Sequence, residues 1–141
     1  MVNFILGPQG SGKTKWLIER ANKDMKEGNG NIMFIDVDDN HIFNLNSSVR
    51  LINAMEFNIG TIESFYGFLC GIISRDYDVE KIYVDGIYKI LSLEIEDLKK
   101  LKKLLSSIGE KFQTEFYIGT DYSIEDMPEI LKDSCIELAI E

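Results

Sequence analysis

The chain has 141 residues, of which 45% are hydrophobic and 28% are charged, and this composition is typical of a folded protein and too apolar for a disordered segment. We therefore expect a single hydrophobic core and one domain over residues 1–141. The net charge of −9 repels nucleic-acid phosphates and anionic lipid. Because no apolar run approaches the roughly 20 residues that cross a bilayer, we expect a cytoplasmic protein with neither a membrane nor nucleic acid as its partner.

Short apolar runs alternate with longer segments of helical periodicity, which predicts βαβ units and a mostly parallel sheet. The predicted elements, in chain order, are a strand over 2–6, a helix from 13 to about 27, a strand over 32–37, a helix capped by Thr61, a strand over 81–85, a helix capped by Ser92 and closed by Gly109, a strand over 115–119, a short helix over 123–133 and a strand over 136–140. Between residues 40 and 60 the periodicity is mixed, and we expect only a short extra strand around 57–60.

A glycine-rich octet follows the first predicted strand and opens the first predicted helix. Residues 7–14 match the pattern G-x-x-x-x-G-K-[ST] at every fixed position. The glycines let successive backbone N–H groups point into one concavity, to which the helix N-terminus adds partial positive charge. Lys13 would reach the β and γ phosphates of a nucleotide. The expected nucleotide-binding residues are Gly7, Pro8, Gln9, Gly10, Ser11, Gly12, Lys13, Thr14 and Lys15.

A magnesium site is the second part of this prediction. The Thr14 hydroxyl would ligate Mg²⁺ directly. Asp85 ends a predicted buried strand, and a carboxylate at that place can hold the metal through water. A strand that ends in aspartate is common, so Asp85 gains its weight only in combination with the loop.

With these two motifs in place, the chain resembles a P-loop NTPase, and more narrowly one with a RecA-like, additional-strand core. The resemblance implies a three-layer α/β/α sandwich with a mostly parallel sheet of five or six strands, and ATP and Mg²⁺ as cofactors. The chain departs from it where many members carry a catalytic glutamate, because Gly86 follows Asp85. In RecA-like relatives the glutamate instead ends the second strand, and Asp38 stands at the matching place as the expected catalytic base beside Lys13.

Other residues have weaker claims on the site. Glu63 is a second choice for the base, although the helix dipole also explains an acid in that first turn. Thr120 and Asp121 follow a strand where such folds place a γ-phosphate sensor, and turn chemistry explains them equally well. His41, the only histidine, follows an acidic cluster, has no Cys or His neighbour at metal-binding spacing and is expected in a loop. Trp16 is close enough to the loop to report on its occupancy.

Three functions fit these residues. The first is an ATP-binding protein that is a slow, magnesium-dependent ATPase, and the second is a nucleotide-dependent binding or regulatory module without efficient hydrolysis. A small nucleoside or nucleotide kinase ranks last, because no arginine-bearing lid is evident. Arg50 is the only arginine in the irregular stretch; otherwise an arginine for hydrolysis would come from a protein partner or a second copy of the chain. ATP is expected over GTP, since no N-K-x-D segment follows a late strand.

Overall fold

The structure is a computed structural model that describes residues 1–28 and 30–138. Six strands are present: β1 (Val2–Leu6), β2 (Asn31–Asp36), β3 (Arg50–Asn53), β4 (Val79–Val84), β5 (Glu115–Gly119) and β6 (Cys135–Glu137). They alternate with four α-helices: α1 (Lys13–Glu27), α2 (Ile62–Arg75), α3 (Ile95–Phe112) and α4 (Glu129–Lys132). Short 3₁₀ helices lie in several of the connections.

All six strands join one sheet in the order β3-β2-β4-β5-β1-β6, and every neighbouring pair is parallel. The predicted α/β class is therefore confirmed. Strand β5 lies between β1 and β4, although it follows both in the sequence. Because the strands are parallel, their carboxyl ends all meet at one edge of the sheet. The loop after β1 and the residue after β4 are consequently close in space.

Helices cover both faces of the sheet, which gives three layers. Phe4 and Ile82 point to the face that packs against α2, α3 and α4. Ile5 and Tyr83, one residue further along their strands, point to the opposite face and pack against α1. This alternation is the period of two that an extended strand imposes. With both faces covered, the central strands are buried along most of their length, as expected of a parallel sheet.

The extra strand was predicted at the wrong place. It lies at Arg50–Asn53, where it pairs with β2, and not at 57–60. A 3₁₀ helix instead ends at Phe57, and Asn58 adopts a left-handed conformation with φ of 54°. A strand needs extended backbone with negative φ, so a left-handed residue cannot continue one. The helix predicted from Thr61 is confirmed, and Thr61 and Ser64 form a capping box at its start.

The ends of α3 also differ from the prediction. Glu94, not Ser92, caps it, because Glu94 and Asp97 form a reciprocal capping box. The helix continues past Gly109 to Phe112 and ends at Gln113, which is left-handed. Gly109 serves close packing instead, since a Cβ there would lie 2.6 Å from the carbonyl oxygen of Thr114. Gly109 is therefore required by close packing and does not end α3.

The last predicted helix, over 123–133, is divided in two. A 3₁₀ turn capped by Ser123 occupies Ile124–Asp126, and α4 begins only after Pro128. Proline lacks the N–H that a continuous helix would need at that position. The final strand ends at Glu137, and the part of its prediction over 139–140 lies outside the described residues. Among the residues that are described, no helix is both long and apolar enough to span a bilayer.

Candidate functional site

The glycine loop (residues 7–14) connects β1 to α1 at the carboxyl edge of the sheet. Its first residue is anchored, because the Gly7 amide donates to the Tyr122 carbonyl at 3.1 Å. Gly12 precedes α1 with φ of 90°, a conformation that glycine adopts without the steric cost of a Cβ. The backbone can therefore turn directly into the helix. The first amides of α1 have no acceptor inside the helix and face the loop's concavity.

Lys13 is folded back onto its own loop. Its ammonium group donates to the carbonyl oxygens of Gly7 and Pro8, the second at 3.1 Å. It also forms an ion pair with Asp121, whose Oδ1 is 2.9 Å from Nζ. Only 6% of the Lys13 side chain is exposed. These contacts satisfy all three N–H donors of the ammonium group, so a bound anion would replace some of them.

Thr14 and Asp85 meet across the same edge. The Thr14 hydroxyl donates to Oδ2 of Asp85 at 2.7 Å. The Asp85 amide extends the ladder between β2 and β4 by donating to the Ile35 carbonyl at 2.8 Å, which fixes the carboxylate at the end of β4. Asp85 is buried. A hydroxyl and a carboxylate are oxygen donors of the type that Mg²⁺ prefers, and they leave room for phosphate and water ligands, so these residues fit the metal expected from the sequence.

A cavity of about 680 Å³ opens in front of these side chains, within the usual range for small-molecule sites. One end is formed by the loop and the start of α1, with Lys13, Thr14 and Asp85 in its wall. The expected binding residues that line it are Gln9, Gly10, Gly12, Lys13, Thr14 and Lys15. From there it extends along α1 to Asn22 and His41.

His41 is paired with a buried acid at the end of β2. Its Nδ1 lies 3.0 Å from Oδ2 of Asp36, a residue that is 2% exposed. Burial raises the pKa of Asp36, the hydrogen bonds from His41 and the Val37 amide oppose this rise, and the charges of Asp85 and Asp38 reinforce it. Asp38 is half-buried, and its Oδ1 accepts from the Asn40 amide at 2.9 Å. Ligand-type atoms of Asp36, Asp38 and His41 all lie within 4.8 Å of one another.

Some of the residues that line the cavity were not predicted from the sequence, and two of them follow β4. Tyr88 and Lys89 lie in a 3₁₀ turn just after Asp85. Gly86, with φ of 72°, turns the chain back toward the loop and so places them there. Burial, followed by the charges of Asp121 and Asp85, raises the pKa of Tyr88 to about 12. A glycine directly after the strand was the only signal, and it does not predict which side chains follow into the cavity.

Asn22 was also missed, although a signal was available. Thr14, Ile18 and Asn22 are spaced four residues apart on α1 and all line the cavity, because such residues share one helix face. Asn22 is held by the connection after β2: it donates to the Asn44 carbonyl at 2.9 Å and accepts from the Asn46 amide at 2.7 Å. Reading this helix face outward from Thr14 would have located this end of the cavity.

Several predicted residues lie apart from the loop. Glu63 pairs with Lys100 of α3, and this contact lowers its pKa. Arg50 is the first residue of β3, at the opposite end of that strand from the site. Among the residues that the structure describes, no arginine lines the main cavity. Thr120 does lie at the carboxyl edge beside Asp121, and its hydroxyl is buried without a hydrogen-bond partner in the described part of the chain.

Comparison with known protein families and with curated proteins finds no match for this chain.

Proposed function

We propose that this chain is an ATP-binding P-loop protein that hydrolyses ATP slowly with Mg²⁺. The observation that carries the proposal is the meeting of three expected groups at one cavity. Lys13 and Thr14 are the last residues of the glycine loop and the first of α1. Oδ2 of Asp85 lies 2.7 Å from the Thr14 hydroxyl. A glycine-rich turn with only a structural role would not require a cation, a hydroxyl and a buried carboxylate at its mouth.

The strand order supports the same class of protein. β5 lies between the strand that precedes the loop and the strand that precedes Asp85. This insertion is what a resemblance to an additional-strand core predicts. Strand order is not determined by composition, by hydrophobic periodicity or by the loop motif. It therefore supports this class of protein independently of that motif. β3 then adds a further strand beside β2 at the sheet's edge.

Binding would require Lys13 to exchange its present partners for phosphate oxygens. The backbone amides at the start of α1 would then receive the remaining phosphate charge. Thr14 would ligate Mg²⁺, and Asp85 would orient it through water. When bound, the metal would supply positive charge that neutralises the phosphates. The net charge of −9 does not prevent binding, because the local amides and ammonium are close whereas the other charges are screened beyond about 10 Å.

Slow turnover follows from the groups around this site. Gly86 stands directly after Asp85 and cannot accept a proton from water. Asp38 stays the proposed base, although it lies beside Asp36 and His41 and is not among the cavity-lining residues. A carboxylate that reaches the attacking water only after a rearrangement would orient it less well, and this reduces the rate.

The second candidate is a nucleotide-dependent binding module that does not hydrolyse efficiently. Gly86 and the lack of an arginine among the described cavity residues favour it. In this case ATP occupancy would change the connection over 37–60, whose residues His41 and Asn44 line the cavity, and the changed surface would be recognised by a protein partner or a second copy of the chain.

The test is to measure the affinity of the purified chain for ATP and GTP with and without Mg²⁺, followed by phosphate release. The proposal expects ATP to bind more tightly with Mg²⁺ than without it, and slow phosphate release. Tight ATP binding without any phosphate release would favour the second candidate. Failure to bind either nucleotide at millimolar concentration would refute both candidates.

A further inference from the structure

Asp121 is the ion-pair partner of Lys13 and lies outside the glycine loop. Its carboxylate lies 2.9 Å from Nζ of Lys13, across 108 positions of sequence. The lysine side chain is 6% exposed and the aspartate 43% exposed. A pair with one buried partner is screened less than one on the open surface. Asp121 therefore contributes to the position of the ammonium group.

The backbone on both sides of Asp121 is bonded to β1 and to the loop. The Thr120 amide donates to the Ile5 carbonyl at 2.9 Å, and the Tyr122 carbonyl accepts from the Gly7 amide at 3.1 Å. These bonds place the residue between them at the loop's edge. Asp121 is thus fixed beside the phosphate-binding lysine by the pairing of β1 with β5, and it is not a surface side chain that meets Lys13 by chance rotation.

We propose that Asp121 competes with the terminal phosphate of a nucleotide for Lys13 and weakens the binding of ATP more than that of ADP. This inference rests on the proposed function. When phosphate takes the ammonium group, the Asp121 carboxylate loses its cation and is left close to an anion. ATP brings an additional charged phosphate toward the loop's lysine, which reaches the β and γ positions. The repulsion is therefore larger for ATP than for ADP.

The competition gives Asp121 a different role from that of a neutral γ-phosphate sensor. A sensor donates a hydrogen bond to the phosphate and strengthens binding. An ionised carboxylate has no donor, so it can only repel the phosphate or bind the cation that the phosphate needs. The Asp121 carboxylate also contributes to the raised pKa of Tyr88. Tyr88 is therefore a second cavity residue that lies next to this charge.

The experiment compares Asp121→Asn and Asp121→Ala with the unmodified chain, and measures the Kd of Mg-ATP and Mg-ADP by calorimetry. Asparagine retains the shape of the side chain and removes its charge, and alanine also removes its hydrogen bonds. Asp39→Asn is the matched control, because Asp39 is exposed at the same edge and forms none of the ion pairs found within residues 1–28 and 30–138.

We expect Asp121→Asn to bind ATP about tenfold more tightly, because the contact that competes for Lys13 loses its charge. ADP should gain less, so the ratio of the two affinities should shift toward ATP. Asp121→Ala should shift it in the same direction, and Asp39→Asn should leave it unchanged. An ATP affinity that is unchanged or weaker in both Asp121 variants would overturn the inference, as would equal gains for ATP and ADP.

Failure of the inference and failure of the proposed function give different results. If the unmodified chain binds ATP and the Asp121 variants bind it no more tightly, only the role of Asp121 is refuted. If neither the unmodified chain nor any variant binds nucleotide, both are refuted.

Discussion

The glycine loop and the connection over 37–60 begin at the same edge of the sheet but are held in different ways. The loop's functional side chains, Lys13 and Thr14, are buried and half-buried, and their partners follow strands distant in sequence: Lys13 pairs with Asp121 and Thr14 with Asp85. Outside β3, which pairs with β2, the connection is held largely by short-range turns, such as the Asn46 side chain accepting from the Ser48 amide at 2.9 Å. Phe43 in this connection is 96% exposed.

This difference indicates which region is free to change. A change in the loop disturbs contacts with β4 and with the chain after β5, so its geometry depends on the whole sheet. The connection has few buried apolar contacts over much of its length, and such segments open at lower free-energy cost than the core. Nucleotide binding should therefore leave the loop's backbone in place and alter the connection.

The largest expected effect tests the difference in stability between the two regions. Leu17 of α1 is fully buried, and Leu17→Ala should lower the free energy of unfolding by about 3 kcal/mol, because it leaves a cavity beneath the loop. Phe43→Ala, which also removes a large apolar side chain, should change that free energy by less than about 0.5 kcal/mol. Urea unfolding measures both variants. Equal losses would contradict the comparison.

A second substitution asks whether the connection supplies the catalytic base. Asp38→Asn should reduce phosphate release by about 100-fold, the usual contribution of a general base, and should leave ATP affinity unchanged. Steady-state turnover and calorimetry measure the two quantities on one preparation, with Asp39→Asn as the neighbouring control. Turnover equal to that of the unmodified chain would remove Asp38 from the mechanism and leave the connection without a catalytic role.

Asp85→Asn tests the proposed Mg²⁺ site beside the glycine loop. The asparagine can still accept from Thr14 but has lost the charge that orients Mg²⁺. We expect the Mg²⁺ concentration needed for half-maximal ATP binding to rise about 30-fold, as is usual when an outer-shell ligand is lost. Asp133→Asn, on an exposed residue after α4, provides a charge-matched control. An unchanged Mg²⁺ requirement would show that Asp85 does not hold the metal.

The smallest expected effect lies where the two regions meet, at Asp36. Because burial raises the pKa of Asp36 above its usual value of 3.8, the unfolded chain releases this proton at lower pH than the folded chain. The contribution of Asp36 to stability is therefore fully present below pH 3.8 and is lost as pH rises through the raised pKa. Asp36→Asn cannot ionise, so its stability relative to the unmodified chain should increase over this window. Urea unfolding at several pH values measures that difference, and a constant difference would contradict the assignment.

The elements nearest the loop could be predicted from the sequence because their signals are local. β1 has four apolar residues among five, and α1 has both a glycine before it and apolar residues at helical spacing, so their positions are confirmed. Sequence also identified Thr14 and Asp85 as residues of one site, since motif and strand end specify where each lies. Their role in binding metal stays a prediction.

The errors around the site occurred where long-range packing decides the structure, whereas the wrong cap of α3 and the undivided helix over 123–133 have local causes in Asp97 and Pro128. β3 is a strand because β2 has a free edge for Arg50–Asn53, and no residue pattern in the connection reveals that edge. The ion pair between Lys13 and Asp121 depends on β5 lying beside β1, which follows from strand order. Tyr88 and Lys89 reach the cavity only because Gly86 reverses the chain. Local signals thus locate the loop, and topology determines what surrounds it.

The central claim is that Lys13 binds the phosphates of ATP, and a titration of three proteins with Mg-ATP tests it most directly. Trp16 fluorescence or calorimetry can follow the unmodified chain, Lys13→Ala and Lys23→Ala, a control that removes an exposed lysine from the same helix. We predict saturable binding by the unmodified chain and by Lys23→Ala, and a loss of at least about tenfold in affinity for Lys13→Ala. Equal affinity in all three proteins, or no binding by the unmodified chain at millimolar ATP, would contradict the account.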